Sequence, residues 1–283
     1  MADKPANGLP GARPMQAPFG LEVQGSDLFA LPAAALQDAV HAHKLVVLRD
    51  QTLTPDALVA AAARLGELDQ YPFAEPLPGH PYVVAVVKNP EDTSNFGGAW
   101  HSDTAYLPQP PGFTLLYAVE LPERGGDTLF ADMQAAYAAL SPGLQRTLCG
   151  LYGHNSADLV HGAAGEHAAV AGQSVPARTT RQITHADHPV VRVHPATGAR
   201  ALYASLIHTA HFVGMSRPES LPLLRYLQQH AVAAERCARL CWQPGTLAIW
   251  DNRSLQHYPL NDYPGQRRVM HRVILRGESP IAA

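Results

Sequence analysis

Short apolar runs separated by proline and glycine turn signals recur along this chain, and they restrict the folds open to it. Clear examples are YVVAVVKN at 82–89, FTLLYAVEL at 113–121, TLAIWDN at 246–252 and RRVMHRVILRG at 267–277. Helical spacing is concentrated near the start, where Thr54 as N-cap and Pro55 in the first turn open an alanine-rich segment. Many short strands with helices near one end favour an α+β protein built as a double-sheet jelly roll over a parallel α/β sheet.

Two hairpins, two helical stretches and a long loop are predicted in the second half of the chain. The hairpins span 188–205, turning at Thr197-Gly198, and 238–252, turning at Pro244-Gly245. Helical character is predicted over 132–150 and 217–236, whereas 153–188 lacks periodicity. A loop of that length is usually functional, so we interpret it as a lid over the site. The histidines in or beside it, predicted to be exposed or lid residues, are His154, His161, His167, His185, His188 and His194.

Composition excludes several classes of protein. The 283 residues carry a formal net charge of −3, so the chain lacks the basic surface that nucleic-acid binding needs. No stretch approaches the ~20 apolar residues of a membrane span, and residues 1–18 are predicted to be a flexible segment rather than a secretory signal. Three cysteines are too few for a disulfide framework, which favours a cytoplasmic protein. Residues 19–283 contain no linker and are predicted to form a single domain.

A histidine and an aspartate two positions apart suggest part of a metal site. In AWHSDTAY at 99–106, His101 and Asp103 would point to the same face of a strand. His257, shortly after the apolar run TLAIW, is the best candidate for a third ligand. Two histidines and one carboxylate form the facial triad that suits non-haem Fe(II) and leaves positions open for substrate and oxygen. A zinc hydrolase with the same ligands remains an alternative.

Two arginines predict an anion site on the last long strand. Arg268 and Arg272 are four residues apart, so a strand would place them on one face together with Met270 and Ile274. Burying an arginine is unfavourable unless an anion meets it, and a guanidinium pairs bidentately with a carboxylate or a sulfonate. Inward-facing arginines therefore predict two bound anions or one dianion. The alternative is that both lie on the outer face and pair with surface acids such as Asp262.

Four segments in consistent order resemble the family of taurine dioxygenase and 2,4-dichlorophenoxyacetate dioxygenase, the TauD/TfdA family. They are WHSD at 100–103, ELPERGGDTLFADMQAAYAALS at 120–141, HPVVRVHPATGARALY at 188–203 and WQPGTLAIWDNRSLQHYPLNDYPGQRRVMHR at 242–272. The resemblance runs from about residue 20 to the C-terminus. It implies a double-stranded β-helix, that is, a jelly roll with flanking helices, and an assembly that is a homodimer or a tetramer.

The resemblance also implies a role for individual residues. Those matching the family's iron ligands are His101, Asp103 and His257. Arg268 matches the arginine that binds the distal carboxylate of 2-oxoglutarate, and Thr128 matches the hydroxyl that assists it. Arg272 matches the arginine that holds the anionic group of the prime substrate. The implied activity is that of an Fe(II)- and 2-oxoglutarate-dependent dioxygenase, with O₂ as the other cosubstrate, that hydroxylates a small organic anion.

The prime substrate implied is a sulfonate, an alkyl sulfate, an aryloxyalkanoate or another carboxylate, and its hydroxylated product can fragment. Taurine itself is disfavoured, because Tyr71 stands where taurine-specific members carry a histidine and His208 matches a pocket phenylalanine. Tyr71, Tyr106 and His208 are predicted to line the substrate pocket. The remaining alternative is a jelly-roll metal-dependent hydrolase or isomerase that does not use 2-oxoglutarate.

Overall fold

Short strands, most of them paired antiparallel, outnumber the six α-helices in the part of the chain that is described. The computed structural model describes residues 8–162, 174–176 and 184–283. The strands in chain order are β1 (Ala12–Pro14), β2 (Leu21–Val23), β3 (Leu45–Leu48), β4 (Leu68–Asp69), β5 (Val84–Lys88), β6 (Phe113–Glu120), β7 (Thr128–Asp132), β8 (Tyr152–Ser156), β9 (His185–Pro189), β10 (Val191–Val193), β11 (Arg200–Leu202), β12 (Thr209–Phe212), β13 (Cys237–Leu240), β14 (Leu247–Asp251), β15 (Leu255–Pro259), β16 (Arg268–Leu275) and β17 (Ile281–Ala282). The helices are α1 (Ala33–His43), α2 (Pro55–Ala63), α3 (Met133–Ala138), α4 (Pro142–Cys149), α5 (Asp158–His161) and α6 (Arg217–Ala231).

The central strands of the large sheet are covered on both faces, which explains their continuous apolar sequences. Among the described residues, eight strands form this sheet in the order β1-β2-β3-β14-β6-β16-β4, with β5 also paired to β16. In β3, Val46 and Leu48 pack in one core with α1 and α2. Leu45 and Val47 point the opposite way, as the two-residue period of a strand requires, and pack in a second core.

A three-stranded sheet, β13-β7-β15, covers that second face. Phe130 of β7 and Leu255 of β15 pack in the same core as Trp250 of β14, and the rings of Phe130 and Trp250 meet edge to face at 5.5 Å. Two further three-stranded sheets have the strand orders β12-β8-β9 and β11-β10-β17. Because β7 and β15 face β16 across the core, polar residues on these three strands can enter one shared space.

Several sequence predictions are confirmed by the described elements. Thr54 caps α2, since its side chain accepts a hydrogen bond from the amide of Ala57, and Pro55 is the first helical residue. The hairpin around Thr197-Gly198 is formed by β10 and β11. The predicted helix from 217 is α6, which ends earlier, at Ala231. Within the described residues, no helix has both the length and the apolar character needed to cross a membrane.

The predicted hairpin over 238–252 is wrong. β13 pairs with β7, whereas β14 pairs with β3 and β6 in the large sheet. The turn at Pro244-Gly245 therefore connects two facing sheets rather than two paired strands. Gly245 has a positive φ of 72°, and a Cβ there would lie 2.6 Å from the carbonyl oxygen of Gln51, so the close approach of the chain at this turn requires glycine.

The region 153–188 is not a continuous loop where it is described. It contains β8, α5 and β9, and β8 pairs with both β9 and β12. The buried positions of β8 are occupied by Gly153 and Asn155, and the amide of Asn155 is satisfied by Thr209 and by the backbone. Because its inward residues are small or polar, this strand gives no apolar alternation to detect. Residues 163–173 and 177–183, including His167, lie outside the described residues.

Part of the predicted flexible segment 1–18 is folded onto the large sheet. Ala12–Pro14 pair with Leu21–Val23, and Leu9 is fully buried in the core beneath α1 and α2. Residues 1–7 lie outside the described residues. The prolines and glycines of this segment suggested flexibility, but in the structure they form turns on either side of a short edge strand.

Candidate active site

Two histidines and one aspartate converge between the two facing sheets. His257 lies on β15, and its backbone exchanges two hydrogen bonds with His101, with N···O distances of 3.1 and 2.8 Å. The two imidazole rings are 4.2 Å apart, and Nε2 of His101 is 3.8 Å from a carboxylate oxygen of Asp103. One ligand atom from each of the three residues lies within 4.8 Å of the others, and all three residues are buried. The structure thus brings the predicted triad together.

The local geometry that joins His101 to Asp103 differs from the prediction. They do not lie on a regular strand: His101 makes an isolated bridge, and Asp103 is in the turn that follows, next to Thr104 with a positive φ of 41°. The side chains meet because the chain turns. Gly97 lies against this turn with a φ of 73°, and a Cβ there would be 2.9 Å from Cε1 of His101. The glycine pair before the motif therefore leaves room for the imidazole.

The protonation states of the triad suit a divalent cation. Burial lowers the pKa of His101 and, with His101 beside it, lowers the pKa of His257 to about 3. Burial raises the pKa of Asp103, but the positive charge of Arg272, the histidines and a hydrogen bond outweigh burial and bring it to about 2. Nδ1 of His101 is 2.7 Å from the carbonyl oxygen of Ala99 and must donate to it, so Nε2 carries the lone pair. Two neutral imidazoles and one carboxylate are the forms that bind iron.

A network of hydrogen bonds that the sequence did not predict fixes the orientation of Asp103. The hydroxyl of Thr114 donates to Oδ2 of Asp103 at 2.6 Å, and the amide of Asn252 donates to that hydroxyl at 2.8 Å. The side-chain oxygen of Asn252 accepts from the Asp103 backbone amide at 3.3 Å and from the indole of Trp250 at 3.0 Å. This leaves Oδ1 of Asp103 as the oxygen directed toward His101 and Arg272.

Replacing Thr114 with valine is expected to weaken metal binding without removing a ligand. Valine has the shape of threonine but cannot donate to Asp103, and losing such an outer contact typically lowers metal affinity about 10- to 100-fold. Anaerobic titration with Fe(II) or Mn(II) measures the effect. Thr114→Ser keeps the hydroxyl and should retain most of the affinity. An unchanged affinity in the valine variant would show that Asp103 is oriented by other contacts.

A cavity opens on one side of the triad and reaches the side-on edge of a buried arginine, Arg268. It is lined by His101, His257, Thr128, Arg268 and Arg272 together with apolar side chains. Arg268 is buried, which lowers its pKa, and its Nε and Nη2 meet no hydrogen-bond acceptor among the described residues. Nε and Nη2 form one edge of the guanidinium, so two parallel N–H bonds remain available for a carboxylate.

Thr128 lines the same cavity, and its hydroxyl can donate a hydrogen bond to a ligand there. The indole Nε1 of Trp242 donates to Thr128 Oγ at 3.0 Å, so the hydroxyl proton points elsewhere. The ring of Trp242 also lies 5.7 Å from the guanidinium carbon of Arg268. One tryptophan therefore contacts both groups that the sequence predicts for the distal carboxylate of 2-oxoglutarate.

A second cavity lies on the Asp103 side of the triad. Arg272 donates to Oδ1 of Asp103 at 3.3 Å, and its guanidinium carbon lies 4.2 Å from the ring centre of Tyr71. The Nε and Nη2 atoms of Arg272 have no acceptor among the described residues. The alternative of outward-facing arginines is wrong, because Arg268 and Arg272 are each only 5% exposed. The lining residues that the sequence predicted are all present: Tyr71, Tyr106, Arg272 and His208.

The histidines in or beside 153–188 were predicted to be exposed or lid residues, and His161 is not exposed. It is 6% exposed, lines the second cavity, and stacks on Phe73 at 4.2 Å. Its Nε2 lies 3.5 Å from the hydroxyl of Tyr71 and 3.4 Å from that of Tyr106. Since α5 is a single turn flanked by residues without periodicity, no sequence signal indicated that this histidine points inward.

His188 and His194 are also buried, whereas His185 is exposed and His154 is half-buried. His194 forms a second cluster with His41 and Asp251. Its Nδ1 accepts two backbone amide hydrogen bonds, so its Nε2 must carry the proton that is donated to Asp251 at 2.8 Å. His194 has no lone pair left for a metal, and this cluster is a structural hydrogen-bond network.

Comparisons with known proteins agree with this arrangement. The family model described as taurine catabolism dioxygenase TauD, TfdA family, matches residues 10–274. The α-ketoglutarate-dependent sulfate ester dioxygenase of Pseudomonas putida is 33% identical over 284 residues, covering 95% of this chain and 90% of the relative. The alkylsulfatase of Acinetobacter baylyi is 31% identical, with 92% and 83% covered. The crystal structure of a taurine dioxygenase from Burkholderia xenovorans has a TM-score of 0.78 at 30% identity, with 96% and 93% covered.

These matches show that the chain belongs to the TauD/TfdA family. It is an oxidoreductase, an Fe(II)- and 2-oxoglutarate-dependent dioxygenase that uses O₂ to hydroxylate a small organic anion. Membership of this family excludes the hydrolase or isomerase that the residues alone left open. The buried triad, with neutral histidines and an ionised carboxylate, fits the iron that such an enzyme requires.

Proposed function

We propose that this dioxygenase hydroxylates a small sulfate ester or sulfonate whose anionic group is held by Arg272. The observation that carries the proposal is the buried, side-on edge of the Arg272 guanidinium, which faces a cavity bounded by the triad. Relatives named for sulfate ester, alkyl sulfate and sulfonate substrates support this class of anion. Tyr71, Tyr106 and His208 are proposed to line the substrate pocket.

We propose His101, Asp103 and His257 as the iron ligands. When bound, the iron together with 2-oxoglutarate and O₂ supplies the oxidant for C–H hydroxylation, with 2-oxoglutarate converted to succinate and CO₂. The chain holds the ligands in place through the His101–His257 backbone bridge and through Thr114, which fixes the Asp103 carboxylate. Burial of all three ligands excludes bulk water from the reacting volume.

Arg268 and Thr128 are proposed to bind the distal carboxylate of 2-oxoglutarate. The Nε and Nη2 edge of Arg268 can donate two parallel hydrogen bonds, and Thr128 can donate a third because Trp242 occupies its acceptor side. Burial makes this a strong site, since the guanidinium is 5% exposed and has little water to exchange. The cosubstrate would therefore lie in the cavity on the His257 side, apart from the prime substrate.

Hydroxylation of such a substrate leads to cleavage by ordinary chemistry. A hydroxyl placed on the carbon that bears the sulfate oxygen gives a hemiacetal-like ester. Its C–O bond breaks as the hydroxyl loses its proton, giving an aldehyde and hydrogen sulfate. For a sulfonate, the corresponding C–S bond breaks and sulfite leaves. Binding the anion by Arg272 places the adjacent carbon near the triad, which is the positioning that the reaction requires.

Arg272→Lys tests the proposed anion site. Lysine keeps a positive charge near Asp103 but cannot present two parallel donors. The KM for an alkyl sulfate should therefore rise about tenfold or more. The KM for 2-oxoglutarate should stay near that of the unmodified enzyme. Succinate and sulfate release with hexyl sulfate measure both constants. Arg276→Lys, which changes an exposed arginine just after β16 that pairs with Glu67, is the matched control. An unchanged KM for every sulfate and sulfonate tried would refute the role of Arg272.

We also propose that the facing sheets form a jelly roll with flanking helices and that residues 19–283 are a single domain. The shared core of β3, β14 and β16 with β7, β13 and β15 supports the closed arrangement. Continuous pairing from β2 to β16 in one sheet supports the single domain. Limited proteolysis, followed by mass analysis of the fragments, would detect any internal domain boundary.

A homodimer or a tetramer is proposed on the strength of the family resemblance. Val213, Met215 and Tyr226, which lie before and on α6, are exposed apolar residues that such an interface can cover. Light scattering of the purified protein at several concentrations gives the subunit number. A monomer throughout would refute this proposal.

The cytoplasm is proposed as the compartment. Cys149, Cys237 and Cys241 are all free thiols, which a reducing compartment preserves. Fractionation of cells producing the protein, with marker enzymes for each compartment, tests this proposal.

A further inference from the structure

Three hydrogen-bonding groups meet at the end of the substrate cavity, next to Arg272. The hydroxyls of Tyr71 and Tyr106 both approach Nε2 of His161, at 3.5 and 3.4 Å. The ring of Tyr71 lies under the guanidinium of Arg272 at 4.2 Å, which places the group beside the proposed anion site. Tyr71, Tyr106 and His161 are 8%, 1% and 6% exposed. All three residues line the cavity that Arg272 faces, so their polar groups can reach a ligand bound there.

We propose that His161 is a positioning residue for substrate specificity: it orients the hydroxyls of Tyr71 and Tyr106, which bind the third oxygen of a sulfate or sulfonate group held by Arg272. This inference rests on the proposed function and narrows it. It predicts that the site prefers anions with three terminal oxygens to carboxylates, which have two. His161 acts by holding the two tyrosine hydroxyls in place, and it takes no part in the oxidation.

The number of donors in the cavity supports this preference. Nε and Nη2 of Arg272 offer two parallel N–H bonds, which satisfy two oxygens of either anion. The third oxygen of a tetrahedral anion lies out of the guanidinium plane and needs a donor from another direction. A carboxylate has no such oxygen and would leave the tyrosine hydroxyls without an acceptor on the ligand.

The protons needed for this contact are available in either tautomer of His161. If Nε2 carries a proton, it donates to a tyrosine oxygen, and the tyrosine hydroxyls are free to donate to the anion. If Nε2 is the acceptor, one hydroxyl donates to it and the other remains for the anion. Burial raises the pKa of both tyrosines, so the hydroxyls keep their protons.

No second carboxylate opposes an anion at this end of the cavity. Among the described residues that line it, Asp103 is the only acid, and its charge is balanced by Arg272. Phe73 stacks on His161, and Val160 and Ile207 contribute apolar surface to the cavity wall. An uncharged, donor-rich wall next to a single guanidinium suits a monoanion with several oxygens.

His161→Phe is the test, because phenylalanine can keep the stacking on Phe73 while removing both ring nitrogens. Anaerobic enzyme loaded with Fe(II) and 2-oxoglutarate is titrated by calorimetry with hexanesulfonate, hexyl sulfate and heptanoate. We expect the affinity for hexanesulfonate and hexyl sulfate to fall about 10- to 100-fold, the loss typical of a hydrogen bond to a charged group. The affinity for heptanoate, which has the same alkyl chain as hexanesulfonate, should change by less than about threefold.

Three further variants make the result specific. His161→Gln keeps a side-chain amide with similar reach and should recover part of the sulfonate affinity. Tyr106→Phe removes a hydroxyl from the same group and should reproduce the selective loss if His161→Phe does not fold. His185→Phe changes an exposed histidine on β9 and should leave all three affinities unchanged.

The outcomes separate this inference from the proposed function. Equal losses for hexanesulfonate and heptanoate, or no loss for either, would overturn the role of His161 while leaving Arg272 as the anion site. Failure of the unmodified enzyme to bind any sulfate or sulfonate, with heptanoate or another carboxylate bound instead, would overturn the proposed substrate class. The visible absorption of the 2-oxoglutarate complex must be the same in all variants, which confirms that the cosubstrate site is intact.

Discussion

Asp103→Ala is expected to abolish iron-dependent turnover and to reduce Fe(II) affinity by more than the roughly 10- to 100-fold that the loss of an outer contact costs. The carboxylate is 2% exposed and is the only anionic ligand of the proposed triad. Its removal deprives the metal of a charged ligand and leaves two neutral imidazoles. Metal content per chain, measured after anaerobic loading, and succinate formation give the two readouts.

The same substitution has a second effect, on folding. Without Asp103, the guanidinium of Arg272 stays buried and loses its anionic partner, and breaking a buried pair in this way typically costs about 3–5 kcal/mol of the free energy of unfolding. Denaturant unfolding of the metal-free protein measures it. Asp103→Asn keeps the side-chain shape but not the charge, so it should share both defects. Asp187→Ala, which removes an exposed partner of His154, is the control expected to change neither property. Stoichiometric iron binding and normal turnover in Asp103→Ala would remove this residue from the site.

Arg268→Ala is expected to raise the KM for 2-oxoglutarate by about 100-fold or more, because two charge-assisted hydrogen bonds are lost in a buried cavity. The affinity for the prime substrate should change far less, since Arg268 does not line the second cavity. Anaerobic titration of the Fe(II) enzyme with 2-oxoglutarate, followed by the weak visible charge-transfer absorption, measures cosubstrate binding directly.

Two further variants serve as controls for the predicted effect of Arg268→Ala. Arg268→Lys keeps the charge but loses the parallel donors, so its KM should lie between those of the alanine variant and the unmodified enzyme. Arg267→Ala changes the adjacent arginine, which is exposed and paired with Glu120, and should leave 2-oxoglutarate binding unchanged. Normal cosubstrate affinity in Arg268→Ala would assign the distal carboxylate to another residue.

The arginine positions were predictable from the sequence because a long regular strand carries them. β16 runs without a break against β5 from Arg268 to Arg272, so period two was sufficient to place both side chains on one buried face. The proximity of His101 and Asp103 was also predicted, although the structure produces it by a turn. Here the prediction depended on short spacing alone, since two residues so close in sequence stay near each other in many backbone conformations.

Contacts between distant segments were not predictable from one sequence. Thr114 and Asn252 are 138 residues apart, and nothing in the sequence indicated that they meet. His161 is 90 residues from Tyr71 and 55 from Tyr106, and it is carried by a helix of one turn. The wrong hairpin at 238–252 has a related cause: apolar alternation shows that a segment is a strand but does not choose its partner, and β13 and β14 belong to different sheets.

Arg272 contacts Asp103 and also lines the second cavity, so under the proposed roles one guanidinium serves both the metal ligand and the anion. A substitution at this position that alters the choice of anion would disturb iron binding at the same time. Mutations that change the substrate preference are therefore expected at other positions of the cavity wall. His161 and Tyr106 are examples, because the hydrogen bond between them does not involve the triad. The fold can in this way acquire new substrates by ordinary mutation while its oxidative chemistry is preserved.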